Sequence, residues 1–428
     1  MIPLADPTVS LEALRAWVRE KTILAALESF HLQLGNVFRI NLPGFKPVMV
    51  VGPEAARFVL VDEKDQLLWR CEGDPVTSLL RQGVLVIDGE PHDSIRGVMN
   101  PALHRKMIQT YVTSFWRRTD EITSGWSAQK QVDMLVEMRK IALLILVDTL
   151  YGVDFRGELA ALWAPIMKSI QYISPGLWML WRGVPRPGYQ RKLRALDGYL
   201  YEMIRRRREN ITETDDLLGM LVVNPNLSEG MIRDQLLTML IAGHDTSTAL
   251  LSWVLYLLGK HPSVLKKARE EVDMVLGDGV PQWEQLSQLV YLGYVIDETL
   301  RMYPPIHLGS RIAAADLVFQ GYNIPKGTRV LYSIYLTHHM EAYWPEPHVF
   351  CPERFAEQRP IPYTYLPFGG GQRNCIGSYF AQIESRIILA RILQQFDLKL
   401  LPQNVHPHMG ATLEPCPGVR MAVTPRSV

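Results

Sequence analysis

The sequence predicts a mainly α-helical fold with smaller β-sheets, built as one large body over residues 1–428. Three observations carry that expectation. Helical apolar patterns dominate about 53–304. Short β-branched runs broken by turn residues occupy about 36–52 and about 305–335. No Gly/Ser linker, low-complexity tract or repeat marks a domain boundary, and 47% apolar residues suffice for a large core with an apolar cavity inside it.

Along the chain, residues 37–51 read as two short strands around the turn Leu42-Pro43-Gly44-Phe45. Residues 141–150 are apolar on nearly every side, as a helix deep in a core must be. Pro175, Pro185 and Pro187 break any long helix between 173 and 190. Residues 195–208 form a helix whose last turn, Arg205 to Arg208, reads as a solvated end where positive charge suits the dipole. The longest helix spans 228–260, with Ser228 as N-cap and Pro262 closing it. Its apolar run approaches membrane-span length, but Gln235, His244, Asp245, Thr246, Ser247 and Thr248 make it a buried core helix instead. Strands follow at 313–319 and 322–330, the latter around Pro-Lys-Gly. An irregular meander then leads to a loop and last helix within about 345–396, and a terminal hairpin is expected at about 410–424.

Charge excludes one class of partner: 45 Lys+Arg against 44 Asp+Glu give no bulk attraction for nucleic acid. Cys71, Cys351, Cys375 and Cys416 are far apart with no paired spacing, which fits free thiols in a reducing compartment. Pro3, Asp6, Glu12, Arg15, Arg19 and Glu20 interrupt any N-terminal signal or membrane span, so a cytoplasmic, bacterial protein is expected.

Four patterns carry chemistry. Phe368-Gly369-Gly370-Gly371-Gln372-Arg373-Asn374-Cys375-Ile376-Gly377 sets one cysteine between a glycine-rich turn and the start of a helix. That position favours a thiolate, and Gly371 and Gly377 would let backbone approach the sulfur. Ala242-Gly243-His244-Asp245-Thr246-Ser247 lies midway along the long helix, where Thr246 can bond a carbonyl one turn back and an acid–alcohol pair can relay protons. Glu298 and Arg301, three apart, share a helix face. His92 and Arg96, four apart on a helix that Pro91 begins, can clamp an anion.

These segments resemble the cytochrome P-450 family. Residues 368–377 fill its F-x-x-G-x-R-x-C-x-G pattern, 242–247 its [A/G]-G-x-[D/E]-T-[T/S] motif, Glu298 to Arg301 its E-x-x-R, and His92 to Arg96 its H/W-x-x-x-R. The resemblance implies a triangular-prism fold with a long central helix over haem b (iron protoporphyrin IX). Cys375 is then the thiolate ligand of the iron. Ala242, Phe368, Gly371 and Gly377 would line the cofactor, while His92, Arg96, Arg311 and Arg373 meet its propionates. Glu298, Arg301 and the Arg354 of Pro352-Glu353-Arg354-Phe355 would form a buried structural network. Thr337-His338-His339-Met340 departs from the usual His-Arg there, and His339 is given no role.

The implied reaction uses O2, two electrons and two protons to convert R–H into R–OH and water, by hydroxylation or epoxidation, with Asp245 and Thr246 supplying protons. No flavin or ferredoxin segment is evident, so electrons from NAD(P)H would arrive through a ferredoxin, flavodoxin or flavoprotein reductase. Arg105, Lys106, Arg117 and Arg118 are candidates for docking it, though solvated faces explain them better. A monomer is expected. Substrate contacts are expected at about 67–85, about 173–181, beside Ala242, after Pro305 and near Ala411. Their apolar character suits a fatty acid, terpenoid, carotenoid or steroid-like compound. Alternatives are a peroxide-dependent peroxygenase or oxygenated-lipid isomerase of the same fold, and a non-catalytic haem sensor or carrier.

Overall fold

The structure, a computed structural model, describes the chain apart from residues 1, 43, 130, 177–185, 187, 212–214, 278 and 427–428, and the side chain of 128. Position 43 of the expected first turn and most of the expected proline-broken segment therefore lie outside the described residues.

Two helices, α1 (Pro7–Glu20) and α2 (Ile23–Leu34), precede β1 (Val37–Arg39) and β2 (Val48–Val50). Next come α3 (Pro53–Arg57), β3 (Leu67–Leu68), α4 (Pro75–Leu80) and α5 (Glu90–Met99). Then follow α6 (Arg105–Thr123), β4 (Gln131–Asp133), α7 (Met134–Leu150), α8 (Leu159–Ile173), α9 (Gln190–Glu209) and α10 (Leu217–Val222). The chain continues through α11 (Glu229–Lys260), α12 (Pro262–Leu276), α13 (Trp283–Leu286) and α14 (Val290–Met302). After it lie β5 (Leu308–Ala313), β6 (Leu317–Phe319), β7 (Tyr322–Ile324), β8 (Arg329–Ser333), α15 (Ile334–His338), α16 (Arg354–Glu357) and α17 (Ser378–Gln395). The chain ends in β9 (Phe396–Leu400), β10 (His406–Met409), β11 (Leu413–Cys416) and β12 (Arg420–Pro425). The mainly helical expectation holds, with 57% of residues helical.

The 32-residue α11 organises the helical part. Ser228 caps it, its hydroxyl accepting from the Met231 N–H at 3.2 Å. Residues on every side of it are buried, and it crosses α7, which is equally apolar all round. No helix among the described residues is long and apolar enough to cross a membrane. The main core joins side chains of α5–α7, α9–α12, α14 and α17. A second, around Val48, Val50, Phe58 and Val330, fills the space beneath a five-stranded sheet. That sheet has the order β1-β2-β8-β5-β3, and only its β2–β8 pair is parallel.

Several expectations need correction. The strand expected at 313–319 is two: β5 ends where it was to begin, because residues 314–316 leave the five-stranded sheet before β6 forms a separate hairpin with β7. Arg311 therefore sits inside a strand and not ahead of one. The terminal hairpin is β10–β11, while β12 pairs with β9 and β4 instead. Arg207 is no solvated helix end: its guanidinium holds Asp216 at 2.8 Å and the Tyr151 carbonyl at 2.8 Å. Arg118 is buried against Glu121 and Asp148, and cannot meet a partner. The four cysteines are free thiols, as expected.

Candidate active site

One apolar cavity of about 990 Å³ runs through the molecule, and both the cysteine loop and the middle of α11 line it. The loop contributes Phe368, Gly369, Arg373, Asn374, Cys375, Ile376 and Gly377; α11 contributes Ala242, Gly243, Asp245, Thr246 and Ser247. The five regions expected to meet substrate supply further lining, from Trp69 and Leu85 through Ile173, Met239, Ile306 and Ala411. Of the expected 173–181 stretch, 177–181 lies outside the described residues.

Cys375 stands just ahead of α17, its N–H donating to the Phe368 carbonyl at 2.8 Å to close the loop. Cys375 is exposed, and the space it faces is the cavity. Burial pushes the thiol up, against the Gly377 N–H and Arg96, which pull it down. Burial thus opposes the pull of the helix start that was expected to favour the thiolate.

The two loop glycines serve different ends. Gly371 has φ +64°, and an added Cβ would lie 2.3 Å from the Leu60 carbonyl oxygen. It is required by the backbone of the helical turn at residues 58–62 rather than by the sulfur. At Gly377 a Cβ would meet no protein atom within 4 Å, leaving the room a flat cofactor needs beside Cys375.

Cations gather around the loop. Arg96 on α5 donates to the Asn374 carbonyl and side-chain oxygens, each at 2.8 Å. His92, one turn earlier, is buried and bonded through Nδ1 to Asp93 at 2.8 Å; burial pulls its pKa down. Arg373 holds Asp88 at 2.7 Å and the Ile87 carbonyl. Arg311 donates to the Ser310 carbonyl and lies 5.6 Å from the Tyr332 ring centroid. His92, Arg96, Arg311 and Arg373 thus come together on the cavity wall, although the pair on α5 is far in sequence from Arg311 and Arg373. An open thiol, these donors and the space at Gly377 fit a flat, dianionic macrocycle whose metal the sulfur would hold.

On α11, Thr246 Oγ1 donates to the Ala242 carbonyl at 2.7 Å, the back-bond the motif predicts. Asp245 does not touch Thr246, since consecutive helical side chains diverge. Its Oδ1 instead accepts from Arg139 of α7 at 3.0 Å and its Oδ2 from Thr412 at 2.9 Å. The same Arg139 nitrogen reaches Glu414 at 2.7 Å. Burial pulls the Arg139 guanidinium down, but the two carboxylates outweigh it and leave it raised. Ser247 donates to Glu384 of α17 at 2.6 Å, and burial pushes that carboxyl up to about 8. His244 faces the core through the Leu240 carbonyl and does not line the cavity.

Glu298 and Arg301 are fully buried and paired at 2.7 and 2.9 Å, and Arg354 reaches the same carboxylate at 3.0 Å. His338 was overlooked: one ring nitrogen meets the Arg301 carbonyl and the other accepts from the Leu366 N–H at 2.7 Å. Burial, then the Arg301 charge, holds its pKa down to about 3. The ring therefore stays neutral while bridging α14 to the chain entering the loop.

Comparison with known proteins agrees with this geometry. A cytochrome P450 family profile matches residues 12–417. The cyclooctat-9-en-7-ol 5-monooxygenase of Streptomyces melanosporofaciens is 30% identical over 94% of this chain and 89% of its own. The pentalenene oxygenase of Streptomyces avermitilis is 28% identical over 99% and 97%. A solved structure, retinoic acid-bound cyanobacterial CYP120A1, superimposes with TM-score 0.85 and 27% identity, covering 93% of this chain and 94% of that one. The likeness runs from α1 to the C-terminal strands, and this protein belongs to the cytochrome P450 family, as a monooxygenase enzyme.

Proposed function

We propose that this monooxygenase inserts one atom of O2 into a hydrophobic, terpenoid-type substrate, with electrons delivered by a separate ferredoxin, flavodoxin or flavoprotein. The observation that carries the reading is a single apolar cavity lined by both the Cys375 thiol and the Thr246 hydroxyl. The substrate class rests on that lining and on relatives named for cyclooctat-9-en-7-ol, pentalenene and retinoic acid. Free, dispersed thiols suit a reducing cytoplasm.

In this reading haem supplies the redox chemistry that activates O2 and transfers one oxygen atom. Cys375 binds its iron, and His92, Arg96, Arg311 and Arg373 hold its carboxylates by charge-assisted hydrogen bonds. Phe368, Gly371 and Gly377 shape the loop around it, and Ala242 leaves room on the α11 side. The Glu298, Arg301 and Arg354 network keeps the meander in place behind the loop. Thr246 holds a proton at Oγ1 and can turn it from the Ala242 carbonyl toward the cavity. Asp245 stands one residue away, and its charge is shared through Arg139 with Glu414 nearer solvent. Movement of Arg139 toward Glu414 would free the Asp245 carboxylate to take a proton from solvent and hand it on, through a water, toward the Thr246 hydroxyl.

The test is reconstitution. The reduced, CO-bound protein is expected to show the red-shifted Soret band of thiolate ligation, and a surrogate ferredoxin with its reductase and NAD(P)H should drive product formation. A normal band without such turnover would leave only a sensor or carrier. Turnover with hydrogen peroxide that equals the reconstituted rate would replace this reading with a peroxygenase.

A further inference from the structure

The C-terminal hairpin reaches both Asp245 and the arginine that neutralises it. Its tip, residues 410–412, joins β10 to β11, and the Gly410 N–H donates to the Thr412 carbonyl at 3.0 Å across the turn. Alternation along the chain entering β11 puts Thr412 and Glu414 on one face and Leu413 on the other. Thr412 Oγ1 donates to Asp245 Oδ2 at 2.9 Å, and Glu414 accepts from Arg139 Nη2 at 2.7 Å. Leu413 between them is fixed through its backbone. Its N–H donates to the Pro305 carbonyl at 2.9 Å, and its carbonyl accepts from the Trp253 indole N–H at 2.9 Å.

Two features make this junction movable. Arg139 meets both carboxylates with one nitrogen, Nη2, while its Nε is buried without an acceptor. A cation shared in that way lacks the geometric lock of a two-pronged contact, so a small shift passes it from one partner to the other. The tip also faces the cavity. Met409, Gly410, Ala411 and Thr412 line it, as do Asp245 and Thr246. A molecule filling that part of the cavity presses on the chain that holds the acid.

We propose that the hairpin tip couples occupancy of the cavity to release of Asp245, with Thr412 and Glu414 as positioning residues. A substrate seated against Ala411 displaces the tip, parts Thr412 from Asp245 and leaves Arg139 drawn toward Glu414. With the cavity empty, both contacts hold the carboxylate, so protons are withheld until there is something to oxidise. The step moves protons alone: Asp245 takes one from solvent and hands it on, through a water, toward Thr246. The inference rests on the monooxygenase reading above and adds the trigger for its proton path.

Linkage supplies the test, because a ligand that must break the Thr412–Asp245 bond binds more weakly by the worth of that bond. Imidazole and miconazole are titrated calorimetrically into the haem-loaded protein. Miconazole carries the same ring with two dichlorophenyl groups, and only it is large enough to reach the tip. Thr412→Val keeps the shape of the side chain. It should bind miconazole roughly tenfold more tightly than the parent and imidazole within about twofold, as a lost hydrogen bond to a carboxylate implies. Thr412→Ser retains the hydroxyl and should match the parent. In an Asp245→Asn background the effect of Thr412→Val should shrink below about threefold. A merely structural threonine would lose affinity on substitution and not gain it. The proposal is overturned if Thr412→Val binds miconazole no more tightly than the parent, tightens both ligands equally, or acts as strongly without the Asp245 carboxylate. Heat of binding needs neither reductase nor O2, so failure here leaves the CO spectrum and the reconstituted turnover of the monooxygenase reading untouched.

Discussion

Arg139 Nη2 lies 3.0 Å from Asp245 Oδ1, so the acid of the α11 motif is neutralised from α7 and not by its neighbour Thr246. The contact joins side chains 106 residues apart, both almost out of solvent. Asp245 is thus held from outside its own helix, by Arg139 and by Thr412.

Removing the cation should therefore hurt more than removing the acid. Arg139→Leu strands a buried carboxylate and is expected to cost about 3–5 kcal/mol in denaturant unfolding. Asp245→Asn in the same chain should restore much of that loss. Strictly additive effects in this double-mutant cycle would show that the two residues are not coupled. Glu414→Gln, with its side chain 27% exposed, should cost less than the Arg139 change, about 1 kcal/mol.

Thr246→Val removes the Oγ1 proton and keeps the shape of the helix. Electrons consumed per product molecule should rise roughly tenfold, with peroxide or water formed in place of product, while substrate affinity holds. Unchanged coupling would take Thr246 out of the proton path.

Glu298→Gln leaves Arg301 and Arg354 facing a neutral amide in a fully buried site. A loss of several kcal/mol is expected, seen as haem content per chain falling well below that of the parent. Full occupancy in the variant would contradict the network's role in positioning the loop.

Gly371→Ala forces a side chain onto positive φ and into the Leu60 carbonyl. Cofactor retention should drop sharply, whereas Gly377→Ala, free of protein contacts, should fold normally and alter only the optical spectrum of the bound haem.

Glu384 is a buried carboxyl pushed up to about 8. The folded chain keeps its proton where the unfolded chain, titrating near 4.5, has lost it. Its contribution is thus full below about pH 4.5 and is lost as pH rises toward 8. Glu384→Gln, which can still accept from Ser247, should flatten that decline: its melting temperature should gain on the parent steadily between pH 5 and 8. Parallel curves would refute the shifted carboxyl.

What could be read from sequence was whatever the helix period or a fixed spacing brings together. Cys375 with its loop, the Thr246 back-bond, Glu298 with Arg301 and the cap at Ser228 all depend on neighbours within a turn or two. What escaped depends on distant chain. Arg139, Thr412 and Glu414 converge on Asp245 only after α7, α11 and the C-terminal hairpin pack. His338 was passed over because a neighbouring histidine occupied the motif position, and Glu384 because nothing local betrays its burial. Gly371 was seen but misexplained, since Leu60 lies far upstream. The strand limits near 313 and 423 failed similarly, because β-pairing partners are not adjacent in sequence.

The cysteine loop is tied to α5 and its approach by Arg96 to Asn374, Gln372 to Asp93 and Arg373 to Asp88, each spanning about 280 residues. During synthesis, α5, α7 and α11, which wall the cavity, leave the ribosome well before Cys375 does. A nascent chain stalled before residue 375 would carry an open apolar trough and no means to fix a metal, making it a client for chaperones. Haem capture would then come late in the life of each molecule.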